Sequence, residues 1–320
     1  MPHHAVNGLA TLRDLLRFAV SRFNEAGLHF GHGSDNPYDE AAYLILHTLH
    51  LPLDRLEPFL DARLTAREIA SVLKIMERRI KDRIPAAYLT GEAWLGDHRF
   101  YVDQRVIIPR SHIAGLLQER LAPWLPAHRG VQSVLDLCTG SGCLAILAAL
   151  AFPEARVDAS DISPEALEVA RRNVEDYGLE KRVRLLESDL FASLGAERYD
   201  LIVSNPPYVT AESMGRLPPE YHREPAVALA GGEDGLDAVR VILREARRHL
   251  NKDGLMAVEV GGGRRAVETA FPRLPLNWVE TASGEESVFL LQRNDLPAAR
   301  GPLAAKPVKS APARKPRPRG

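Results

Sequence analysis

The chain has 320 residues, 45% of them apolar and 26% charged. That is the composition of a folded protein longer than one core usually fills, so two domains are predicted. Its 41 basic and 42 acidic residues nearly cancel, but seven of the basic ones fall between Leu296 and Gly320, where no acidic residue occurs. The first 295 residues thus hold 34 bases against 42 acids, a formal charge of −8. The longest apolar run, Cys143 to Phe152, spans ten residues, about half of the roughly 20 that a membrane helix needs. The N-terminus shows no secretory signal, and Cys138 and Cys143 can neither staple a secreted scaffold nor match a zinc-ligand spacing. The expectation is a cytoplasmic protein with no membrane span and no metal; oligomeric state stays open.

In chain order, Leu9, Leu12, Leu15, Leu16, Ala19 and Phe23 recur at helical spacing and predict a helix from Leu9 to Asn24. Gly27, Gly31, Gly33 and Asn36-Pro37 interrupt it, and a second helix is predicted from Tyr38 to Leu49. A third follows Thr65, with Glu68 at capping-box spacing and an apolar face of Ile69, Val72, Leu73, Met76 and Ile80. Residues 1–87 therefore read as a small all-helical unit. Residues 88–112 read as a β-hairpin linker, with short strands at Trp94-Leu95, His98–Val102 and Arg105–Ile108 and turns at Gly96 and Asp103-Gln104.

From about Gly130 strands and helices alternate. Strands are predicted at 133–137, 156–160, 183–186, 199–204, 255–260 and 288–292, and helices at 144–150, 164–177 and 235–250. Such alternation implies an α/β fold with a doubly wound, mostly parallel sheet, which binds ligands at the carboxyl ends of its strands. This body runs from 113 to 295. Residues 296–320, with six prolines from Pro297 on, are expected to be disordered.

Asp136-Leu137-Cys138-Thr139-Gly140-Ser141-Gly142 lies where the first strand of this body hands over to a helix. Glycines there allow close backbone approach, and the helix start offers free N–H groups. Asp161, nineteen residues after Gly142, is placed to accept hydrogen bonds from a ribose diol. Together these predict a nucleoside-containing cofactor; a merely structural turn with Asp161 capping the next helix is the alternative. Asp189-Leu190, after the third strand, either meets an adenine amino group or caps a turn. Asn205-Pro206-Pro207-Tyr208 follows the fourth strand, where proline ends sheet pairing. An Asn205 side-chain oxygen and a Pro206 carbonyl can hold both N–H bonds of a planar –NH2 group. Its lone pair is then directed at a methyl donor while Tyr208 covers its face.

The glycine turn, Asp161, Ser188-Asp189 and Asn205–Tyr208 together resemble the Class I, Rossmann-like, S-adenosylmethionine-dependent methyltransferases that modify glutamine at N5. The resemblance extends from about residue 10 to residue 293. Two branches of that family act on different proteins, one on the Gly-Gly-Gln of peptide release factors, the other on the third large-subunit ribosomal protein. Segments 21–27, 31–41 and 83–90 look like the second branch. Ile108-Pro109-Arg110 continues Ser111-His112-Ile113 where the release-factor branch commonly has Pro-Glu-Thr-Glu, and Cys138 replaces its usual glycine. The resemblance implies S-adenosyl-L-methionine against Asp136, Cys138, Thr139, Gly140, Ser141, Gly142, Asp161, Asp189, Leu190 and Asn205. It implies substrate glutamine on Asn205, Pro206, Pro207 and Tyr208, with Asn205, Pro206 and Tyr208 catalytic. It makes 1–87 a substrate-recognition domain, and the partner a large-subunit ribosomal protein or an assembling subunit.

Rival readings remain at this point. They are release-factor methylation, adenine-N6 DNA methylation, an NAD-dependent oxidoreductase resting on Gly140-x-Gly142-x-x-Ala145, and an RNA-binding assembly factor resting on the basic tail. His32 reads as a local turn residue, Trp94 as packing between domains, and Glu259 with Gly261–Gly263 as a tight turn near the site. The stretch Val209–Gly235, carrying Glu212, Glu220, His222 and Glu224, reads as a loop that covers the site or meets a partner.

Overall fold

The structure, a computed structural model, describes residues 8–125, 130–280, 284 and 286–298. The N-terminal unit packs α1 (Leu12–Glu25), α2 (Pro37–Thr48), α3 (Ala66–Lys81) and the short α4 (Ala86–Thr90) around Leu12, Leu15, Phe23, Leu44, Ile45, Val72 and Met76. Helix α1 begins three residues later than predicted because Thr11 caps it, and Asp14 returns the bond to the Thr11 N–H. Thr65 and Glu68 close the expected capping box on α3. Replacing such a cap by alanine costs about 1 kcal/mol.

The hairpin β1 (Glu92–Leu95) and β2 (His98–Tyr101) pairs antiparallel. The third predicted strand does not form. Arg105–Ile108 runs as an irregular strap whose Ile108 N–H donates to Glu224 at 3.0 Å instead of to a neighbouring strand. Trp94, on this hairpin, is 46% exposed.

The body follows with α5 (Ile113–Gln118), β3 (Ser133–Leu137), α6 (Cys143–Ala151), β4 (Arg156–Asp161), α7 (Pro164–Asp176), β5 (Val183–Glu187), β6 (Tyr199–Ser204) and α8 (Ala211–Met214). Then come α9 (Asp237–His249), β7 (Leu250–Glu259), α10 (Arg264–Ala270), β8 (Asn277–Val279) and β9 (Val288–Gln292). Their sheet order is β5-β4-β3-β6-β7-β9-β8, parallel except for the pairings of β9 with β7 and β8. Successive residues alternate between two cores: Leu201, Val203, Leu255 and Ala257 meet the α5–α6 side, while Ile202, Met256 and Val258 meet the α9–α10 side. Burial on both faces explains why these strands are continuous apolar runs. Strand β8 was not predicted, being three residues long with only Trp278 and Val279 apolar. Strand order reverses between β3 and β4 on one side and β6 on the other, so the crevice opens beyond the ends of β3 and β6.

Leu296, predicted as the first residue of the tail, is instead 1% exposed in the core, and its carbonyl accepts from Arg247. The rest of that tail from residue 299 on lies outside the described residues. Among the described residues no helix is long and apolar enough to cross a membrane, and no cluster of three or more His, Cys, Asp or Glu could hold a metal.

Candidate active site

A cavity of about 330 Å³ occupies the predicted crevice, within the range of roughly 300–1,000 Å³ usual for small-molecule sites. Cys138, Gly140, Asp161, Asp189, Leu190, Asn205 and Pro207 line it, seven of the residues predicted from sequence. The other six sit behind it or beside it and brace it. Asp136 is fully buried and accepts from the Thr139 hydroxyl at 2.6 Å and the Ala145 N–H at 3.0 Å. Burial pushes its carboxyl up to about 7, against the pull of those two donors. Ser141 holds its carbonyl to the Asn173 amide. Gly142 stands at φ +80°, where an added Cβ would lie 3.2 Å from Ala170 Cβ; glycine lets α6 start this close to α7.

Cys138 adopts φ +59°, a left-handed conformation that glycine favours. Its thiol is pushed up by burial and by the Asp161 and Asp136 carboxylates, so it is not a thiolate nucleophile. Asp161 accepts the Gly140 N–H on one oxygen at 2.8 Å and the Ser163 N–H on the other at 3.0 Å. Each carboxylate oxygen has a further lone pair, which suits a ribose diol. Ile162 and Val227, exposed by 51% and 53%, present apolar walls on which a flat base can lie. The charges lining the cavity are Asp161, Asp189 and Asp237 against Arg105, which is itself tied to Asp103. That balance suits a cationic sulfonium cofactor and opposes the diphosphate of NAD.

The Asn205 side-chain oxygen is buried and has no hydrogen-bond partner within the protein, although Asn205 lines the cavity. A buried acceptor left unpaired is costly and marks where a ligand donor belongs. The tetrapeptide is fixed by backbone crowding. A Cβ at Gly231 would fall 2.7 Å from Tyr208 Cα, and one at Gly235 would fall 2.4 Å from the Tyr208 carbonyl oxygen. Pro206 is buried. The Tyr208 ring lies outside the cavity wall, against Gly261, where an added Cβ would come within 2.6 Å of it. Burial and Glu259 push its hydroxyl up to about 12, with Arg110 opposing, so it stays protonated.

The Val209–Gly235 stretch does cover the site: Pro225, Val227, Ala228 and Ala230 form one cavity wall. Sequence reasoning missed what holds it there. Glu224 accepts from Arg110 at 2.6 and 2.7 Å and from the Ile108 N–H. Glu259 accepts from the Ser111 hydroxyl at 2.6 Å and the His112 N–H at 2.9 Å. His32 sits in a bend as read, but its side chain is buried and its contacts are not merely local: its ring lies 4.4 Å from that of Tyr221 and its Nε2 lies 3.7 Å from Glu224. The only sequence signal was that these carboxylates fall in one long loop and one strand end.

Residues 14–91 match the family model of the PrmC N-terminal domain, and residues 118–216 match the methyltransferase small domain. The ribosomal protein uL3 glutamine methyltransferase of Burkholderia pseudomallei is 59% identical over 298 residues, covering 91% of this chain and 97% of its own length. That of Neisseria meningitidis serogroup B is 58% identical over 296 residues, covering 92% and 97%. That of Bordetella pertussis is 58% identical over 288 residues, covering 90% and 97%. The chain belongs to the uL3 glutamine methyltransferase family. It is a Class I methyltransferase, and S-adenosylmethionine is its methyl donor. The acidic cavity, the free lone pairs of Asp161 and the two apolar walls fit that cofactor.

Proposed function

We propose that this methyltransferase methylates the side-chain amide nitrogen of a glutamine in ribosomal protein uL3; its relatives are named for methylation of uL3 glutamine. The observation that carries the chemistry is the buried, unpartnered Asn205 oxygen in the cavity wall. An amide nitrogen is a poor nucleophile because its lone pair is delocalised into the carbonyl. Asn205 accepts one of its N–H bonds and the Pro206 carbonyl the other, which favours a pyramidal nitrogen and frees the lone pair. S-adenosylmethionine supplies an electrophilic methyl group. Catalysis here is placement and preorganised acceptors, with no strong base needed, since the proton becomes acidic only after the nitrogen is alkylated and then passes to water. Tyr208, protonated and packed on Gly261, bounds the substrate side. Residues 1–87 recognise the ribosomal protein, 88–112 join the two parts, and 113–295 carry the chemistry.

The acidic first 295 residues suit a basic ribosomal partner, and the cytoplasm is where such a partner is met. The seven basic residues from Arg300 on are assigned a weak contact with ribosomal RNA. The test of function is mass spectrometry of uL3 and of release factors after incubation with the protein and S-adenosylmethionine. One added methyl on a uL3 glutamine is expected; methylation of release factors alone would overturn the assignment.

A further inference from the structure

Two carboxylates four residues apart, Glu220 and Glu224, join the helical unit to the cofactor cavity. Glu220 is buried, and its Oε1 accepts from Arg79 at 3.1 Å, from Arg83 at 3.3 Å and from the His29 N–H at 3.2 Å. Arg79, 1% exposed, also binds Glu40 at 2.6 Å and the His29 carbonyl at 2.8 Å. All these partners lie in the helical unit. The 3-10 turn Tyr221–Arg223 then links Glu220 to Glu224 through backbone bonds of 3.1 Å from Arg223 to Glu220 and from Glu224 to Tyr221. Glu224 is clamped by Arg110 and Ile108 of the strap. At the Glu224 end the chain continues directly into cavity wall on both sides of the clamp: Pro225, Val227 and Ala228 after Glu224, and Ile107 before Ile108.

Removing one partner of a buried ion pair leaves an uncompensated charge, so the link cannot loosen one bond at a time. If the helical unit lifts, Glu220 loses three donors together and the turn that carries Glu224 loses its anchor. We propose that Glu220 and Glu224 are positioning residues that make closure of the cofactor cavity depend on seating of the helical unit. Cofactor binding and docking of α1–α4 then strengthen each other, and by linkage the effect is reciprocal. This rests on the cavity being the S-adenosylmethionine site.

The test is hydrogen exchange of the full-length protein with and without S-adenosylmethionine, read in peptides containing His29, which does not line the cavity. Calorimetry supplies Kd in parallel. In the wild type, cofactor is expected to slow exchange around His29 by about fivefold or more, the usual lower range of coupling between sites. In Glu220→Gln that protection should vanish and Kd should rise by a similar factor. Arg83→Met, at a residue whose side chain is 28% exposed, carries the same comparison should Glu220→Gln fail to fold. A merely structural role would lower Tm but leave exchange at His29 indifferent to cofactor. Cofactor binding to the wild type without protection at His29 overturns the coupling alone, as do variants that retain wild-type Kd and protection. Failure of the wild type to bind at all overturns the cavity assignment with it.

Discussion

The glycine turn and the seam between the two parts of the molecule both bury carboxylates, and they treat them in opposite ways. Asp136 is surrounded by neutral donors and has one buried oxygen with no partner; its carboxyl is pushed up to about 7. Glu224 sits against Arg110, which holds its carboxyl down to about 2 despite burial. Asn205, beside the first, also keeps an unpaired acceptor. The seam carboxylates Glu220 and Glu224 are paired with arginines where two pieces of chain must stay together, while the Asn205 acceptor stays unpaired in the wall of the cavity.

Breaking the seam is expected to have the largest effect. Glu224→Ala leaves Arg110 and the Ile108 N–H without their acceptor and should cost about 3–5 kcal/mol of stability, measured by urea denaturation. A loss below about 1 kcal/mol would mean the seam is loosely held. Breaking the other region should spare the fold and remove the chemistry. Asn205→Ala is expected to lower kcat by about 10²–10³, the usual cost of deleting one preorganised hydrogen-bonding group, with Tm unchanged; a near-normal kcat would eliminate Asn205 as the amide acceptor.

Acidity sharpens the contrast. The folded protein keeps a proton on Asp136 up to about pH 7, while the unfolded chain releases it near 3.8. This group's contribution therefore falls as pH rises from about 4 to 7. Glu224 has the reverse sign: its contribution is complete above 4.5 and is lost as pH falls toward about 2. Asp136→Asn should thus flatten the fall in Tm between pH 5 and pH 8, and an unchanged slope would assign it elsewhere. The smallest effect belongs to removal of residues 297–320. The rate on assembling subunits should fall a few-fold at low salt and match the full chain at high salt; equal rates in both would remove the tail from substrate binding.

Most of the fold was legible because its signals are local. Helical spacing marked α1–α3, apolar runs marked the parallel strands, and the glycine turn and Asn205–Tyr208 sat at strand ends that all face one crevice. What stayed hidden depends on residues far apart in sequence. Arg110 and Glu224 lie 114 positions apart, and Arg79 and Glu220 lie 141 apart, so no spacing rule links them. The strap at Arg105–Ile108 shows the same limit. Its apolar residues look like a strand, but the Ile108 N–H is taken by the distant Glu224. Likewise Asp136, Thr139, Ser141 and Gly142 belong to the motif yet stand behind the cavity, since a motif records both the residues that touch a ligand and those that shape the turn.

Ile162 and Val227 are the most exposed large apolar side chains among the described residues, and both border the cavity. S-adenosylmethionine bound in this cavity would therefore cover exposed apolar surface. Binding should carry a negative heat-capacity change, the mark of apolar surface leaving water. It should also make the loaded enzyme more soluble at high concentration than the enzyme without its methyl donor.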